Sequence, residues 1–104
     1  MLKGVQFYRT EFQDVLACRW SKKHPGKMEV VRASRRNFRV QPVQWTIGPL
    51  SIEDPRKIDF KSMRPLTLDQ LRADESLPER DVLLLALRQR FPDPDTAAVA
   101  RLRR

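Results

Sequence analysis

The chain has 104 residues, 21 lysines and arginines against 13 acids, a net charge of +8, and 40% apolar content. That suffices for one domain with one modest core, and the longest purely apolar run, residues 82–87, is far too short to span a bilayer. One cysteine excludes an intrachain disulfide, and one cysteine with one histidine supplies no usual zinc ligand set.

In chain order, "KGVQFY" (3–8) alternates polar and apolar residues and predicts a strand. "TEFQDVLACR" (10–19) predicts a helix: Thr10 and Gln13 have capping-box spacing, and Phe12, Val15 and Leu16 fall three and four apart on one helical face. "SKKHPG" breaks it with a Pro-Gly turn. "KMEVVR" (27–32) is β-prone, and "ASRRN" reads as a turn. "FRVQPVQWTI" (38–47) alternates well, with Pro42 marking an edge strand or two short ones. "GPLSI" predicts a short strand, "EDPRK" a turn, and "IDFKSM" the start of another strand.

The last third changes character. Thr67 and Gln70 have capping-box spacing ahead of a short helix. Ser76 and Glu79 repeat the signature, with Pro78 in the first turn of a helix running through "DVLLLALRQRF". "PDPD" stops that helix, and the tail "TAAVARLRR" fits a helix or a closing strand. Leu84 and Leu87 belong to the apolar stripe.

Charge is concentrated in "WSKKHPGKMEVVRASRRNFR" (20–39). With Arg19 the segment holds eight basic residues and one acid, Glu29, and so carries nearly all the chain's net charge. A local field of one sign attracts a partner of the opposite sign. Trp20 and Phe38 bracket the segment, and rings beside cations are the ingredients of single-strand recognition. The residues expected to contact nucleic acid are Trp20, Lys22, Lys23, Lys27, Arg32, Arg35, Arg36 and Arg39. RNA is expected ahead of DNA; an acidic protein is the other partner this field suits, and no membrane is expected. His24 reads as an exposed loop residue and Cys18 as a small packing residue. No cofactor and no metal are expected. The lone cysteine suits a reducing cytoplasm, and the opening "MLKGVQFYRTEF" lacks the apolar stretch of a secretory signal.

Three stretches carry a resemblance to a known family: "VQFYRTEFQDVLACR", "GKMEVVR" and "LTLDQLRADESLPERDVLLLALRQRFPD". Together the chain resembles the ASCH domains of the PUA-like class, and most of all the compact bacterial acetylcytidine amidohydrolases. The resemblance implies an α+β fold: a small PUA-like β-barrel with two to three helices packed on it, spanning 1–104 as a single domain. It also implies a lysine, a polar residue three positions later and a distant glutamate as the catalytic group. Lys27 takes the lysine place and Glu79 or Glu75 the glutamate place, but Val30 stands where the family has its hydroxyl or carboxylate. Three functions are therefore expected in order: a nucleic-acid-binding protein; an amidohydrolase on an acetylated or otherwise modified nucleoside, with weak or no turnover because of Val30; and a phage or mobile-element protein that inhibits a host protein by binding it.

Overall fold

The computed structural model describes residues 2, 4–36, 44–74, 77 and 80–91. Within them the chain is α+β: six strands in one antiparallel sheet, and two helices. The strands are β1 (Gln6–Arg9), β2 (Val15–Trp20), β3 (Met28–Arg36), β4 (Gln44–Ile47), β5 (Ser51–Glu53) and β6 (Arg64–Leu66); the helices are α1 (Leu68–Ala73) and α2 (Arg80–Arg90). The sheet order is β4-β3-β2-β1-β6, with β5 also on β3. Among the described residues the sheet is open: no pairing joins β6 to β4 or β5, so the expected closure into a barrel is not seen there.

β3 carries the sheet. One edge pairs with β2, from Trp20↔Met28 to Val15↔Ala33. Its other edge pairs first with β5 (Met28↔Glu53 to Val30↔Ser51) and then with β4 (Ala33↔Ile47 to Arg36↔Gln44). The register slips by one residue between the two, because Gly48, Pro49 and Leu50 span the place of Val31 and Arg32. β4 and β5 are thus one edge strand interrupted by a bulge, which bends the edge. The Gly48 N–H donates to the Arg32 carbonyl at 2.9 Å, and a Cβ at Gly48 would lie 3.3 Å from that oxygen.

Both faces of the sheet are covered. On one, Phe7, Val15, Ala17, Val31 and Ala33 pack under Leu71, Leu77, Leu83, Leu84, Leu87 and Phe91. On the other, Leu16, Cys18, Met28 and Val30, with Tyr8 of β1 beside them, lie under Ile58, Phe60 and Met63. That cover consists of two 3-10 turns, Pro55–Lys57 and Phe60–Ser62. The Thr67 hydroxyl caps α1 by accepting from the Gln70 N–H at 3.0 Å, and the Gln70 side chain accepts from the Thr67 N–H at 2.8 Å.

Three expectations from the sequence are corrected. Residues 15–20 form a strand and not the end of a helix; Val15 to Cys18 are consecutively buried because β2 is central and covered on both sides. Residues 58–63 form a turn and not a strand: apolar positions 58, 60 and 63 break period two, and the Ser62 N–H and hydroxyl both donate to the Asp59 carbonyl. "ASRRN" is not a turn through Arg36, since β3 continues to that residue. The expected pattern at 38–43, the Ser76–Glu79 cap and the tail fall outside the described residues.

The Thr10–Gln13 pair serves a hairpin. Thr10 and Asp14 close a three-residue loop: the Thr10 N–H donates to the Asp14 carbonyl at 3.0 Å, and the Thr10 hydroxyl accepts from the Asp14 N–H at 3.1 Å. Gln13 takes the left-handed position of that loop, at φ 66°. A β-carbon is disfavoured there, so Gln13→Gly is expected to stabilise the fold by up to about 1 kcal/mol, read as a higher urea midpoint. In the core, Leu87→Ala is expected to cost about 2–5 kcal/mol because Leu87 is fully buried. Lys22→Ala is expected to stay within about 0.5 kcal/mol. Urea midpoints in the reverse order would contradict this placement of the core.

Candidate nucleic-acid interface

The β2–β3 hairpin projects the opening half of the basic segment. Its turn, 21–27, is ordered by its own backbone. The Ser21 N–H donates to the Lys27 carbonyl at 3.0 Å and the Lys27 N–H to the His24 carbonyl at 3.0 Å. The Ser21 hydroxyl accepts from the His24 N–H at 3.0 Å, and Gly26 supplies φ 80°. At its base stands Trp20, 62% exposed. Lys22, Lys23 and His24 are exposed beyond it. Neither Lys22 nor Lys23 makes an ion pair with a described residue, whereas other cations of the segment do.

Those other cations are drawn into the fold. Arg19 faces Glu29 across the β2–β3 ladder at 3.1 Å and stacks over Phe91, its guanidinium carbon 5.2 Å from the ring centroid. Lys27 lies 3.6 Å from Asp54. Arg32 lies 3.4 Å from Asp14 and is half exposed. Arg35 packs over Trp45 at 5.7 Å, among the charges of Arg9, Asp14 and Asp74. Strand alternation separates the last two: Arg32 shares the face of Val30, and Arg35 the face of Ala33 and the helices. Of the residues predicted to form one cationic surface, Trp20, Lys22 and Lys23 are brought together at the hairpin tip, while Arg32 and Arg35 diverge. The Arg36 side chain, Arg39, Glu75 and Glu79 lie outside the described residues.

Asp54 is the residue that anchors Lys27, and it also receives the Arg56 guanidinium at 2.8 Å and the Arg56 N–H at 3.0 Å. The Arg56 side chain holds the Asp54 carboxyl well below the usual carboxylate range. Asp54 therefore stays ionised at neutral pH.

A second feature was not legible from the sequence. A cleft of about 430 Å³ opens on the covered face, between the 10–14 loop, the β3–β5 floor and the 3-10 turns. Leu16, Val30, Ile58 and Met63 give it an apolar bed. Phe12, 72% exposed, stands at its wall, and Thr10, Arg32, Ser51 and Glu53 supply polar groups. Lys27 is not part of its lining. The cleft gathers residues from four separate stretches, and no local spacing announces it. Among the described residues, no group of three or more His, Cys, Asp or Glu side chains is placed to hold a metal, and no helix is long and apolar enough to cross a membrane.

Compared with known proteins, the chain matches no family model, no curated protein and no solved structure.

Cys18 is wholly buried between the strands and the 3-10 cover, and burial pushes its thiol up to about 11. The folded state favours the neutral thiol, so this contribution to stability is intact below the unfolded thiol pKa of about 8.5 and is lost as pH rises toward the folded value. At pH 8 the native protein is expected to react negligibly with a thiol-specific disulfide reagent and to react fully in denaturant. Rapid labelling of the native state would place Cys18 at a reactive site.

Proposed function

We propose that the protein binds single-stranded nucleic acid, RNA ahead of DNA, through the Trp20 end of the β2–β3 hairpin. The observation that carries this reading is the pairing of an exposed indole with Lys22 and Lys23, two cations that no described acid neutralises, on a turn its own hydrogen bonds hold in shape. A base stacked on the indole and phosphates met by the two ammonium groups is the chemistry by which sequence-tolerant single-strand binders work. Arg19, Lys27 and Arg32 would contribute less, since each would first exchange an acid partner for a phosphate. RNA comes first because unstacked bases in loops and ends are where proteins read RNA.

The same proposal takes the sheet as an open relative of the PUA-like barrel. Two features support it: an antiparallel sheet covered on both faces, and a bulged β4–β5 edge of the kind that curls a sheet.

The test is fluorescence anisotropy with a labelled single-stranded RNA over a salt series. Each neutralised phosphate of a single strand contributes a slope of about −0.7 in log affinity against log salt. Lys22→Ala with Lys23→Ala is expected to flatten the slope by about 1–2 units, and Trp20→Ala to weaken binding by about fivefold or more with little change of slope. An affinity and slope indifferent to all three substitutions would leave the hairpin tip as an ordinary solvated turn.

A further inference from the structure

We propose that the cleft beside the 10–14 loop is a slot for one extruded nucleobase of the bound strand. This inference deepens the nucleic-acid reading and rests on it.

A volume of about 430 Å³ lies within the range of small-ligand sites. The bed of Leu16, Val30, Ile58 and Met63 is apolar, as the face of a planar ring requires. Phe12 is held at the wall by the closed hairpin loop, where the Thr10 and Asp14 hydrogen bonds and the left-handed Gln13 fix the chain. An aromatic side chain kept 72% exposed on an ordered loop leaves its ring available for stacking.

The rim offers both kinds of hydrogen-bonding group. Arg32 and Lys57 can only donate, and the carboxyl groups of Glu11, Glu53 and Asp59 supply acceptors. The Thr10 hydroxyl already accepts from the Asp14 N–H, so its own proton remains to be given. The Ser51 hydroxyl donates to the Val30 carbonyl at 3.3 Å, so its lone pairs remain to accept. A ligand with apolar faces and an edge that alternates donors and acceptors answers this lining, and that is the chemistry of a nucleobase. Ser51 and Glu53 share a face of β5 with Val30 and Met28 opposite them, so these polar groups border the apolar bed.

Placement links the slot to the hairpin tip. Leu16 at the slot and Trp20 at the tip lie four residues apart on β2, about 13 Å along the strand. One single strand can therefore reach both.

The experiment uses the full chain, with Phe12→Ala and Trp20→Ala variants whose thermal midpoints are checked against the parent. Titration calorimetry with each of the four ribonucleoside 5′-monophosphates reads the slot alone; anisotropy with a labelled single-stranded RNA reads the whole interface. At least one monophosphate is expected to bind saturably, with affinity reduced about fivefold or more by Phe12→Ala and unchanged by Trp20→Ala. Tight RNA binding without any saturable monophosphate binding, and without loss in Phe12→Ala, would overturn the slot and leave the nucleic-acid reading standing. Monophosphate binding that depends on Phe12, in a protein that does not bind RNA, would overturn both the strand-binding reading and the extruded base, and leave a site for free nucleotides.

Discussion

β2 lies under two covers, and the fold is organised by that constraint. Val15 and Ala17 pack beneath the helices while Leu16 and Cys18 pack beneath the 3-10 turns, so four successive side chains leave water on alternate faces. Its backbone is paired along both edges, by β1 and by β3. A helix in this position would forfeit the pairing along both edges, and a one-residue slip would turn every side chain to the opposite face and carry Arg19 away from Glu29 and Phe91. The two loops that flank β2 inherit its fixed position. One presents Phe12 and borders the cleft; the other presents Trp20 with Lys22 and Lys23. Both candidate contact zones are thus set by one buried strand.

The same constraint explains what the sequence could disclose. A strand covered on both faces has no period-two signal, so "DVLACR" is as consistent with a buried helix turn as with a central strand. Phe12, Val15 and Leu16 then supply a helical spacing by coincidence, and Thr10 with Gln13 supplies a capping-box spacing that in fact closes a hairpin. At Thr67 and Gln70 the same spacing does mark a helix start, since the residues after it place Leu71 inward from a short helix rather than running on as an unbroken apolar strand. The α2 helix was legible from its length and from the polar residues at its two ends, Arg80 and Asp81 before the apolar run and Arg88 to Arg90 after it, although Val82 and Leu85 stay exposed on its outer face. The cleft was not legible at all: Thr10, Arg32, Ser51 and Met63 meet only through sheet pairing and the folding back of the 3-10 cover.

Charge follows a parallel logic. Counted along the chain, the basic segment has a single acid for company. In the fold it meets Asp14 and Asp54, which come from outside it, as well as its own Glu29. These half-buried pairs cost less to keep than to break, since removing one partner leaves the other partly desolvated and unmatched. The effective cationic surface is therefore smaller than the sequence count and is displaced toward the hairpin tip, where no described acid reaches. Under the proposed reading, unpaired cations beside an indole at the tip would suit a flexible strand that can thread past it better than a rigid duplex that needs a broad cationic face.

Trp20 is the residue on which this account turns, and its own fluorescence is the most direct witness. Trp45 packs with Arg35 on the opposite face, and it is the only other tryptophan in the chain. A Trp45→Phe protein therefore reports on Trp20 alone. Titration with an unlabelled single-stranded RNA should quench that emission along a saturable curve, as bases stack on the exposed ring, and raising the salt should reverse it. Emission that stays unchanged while anisotropy shows the same RNA to be bound would place the strand elsewhere on the molecule and contradict the account.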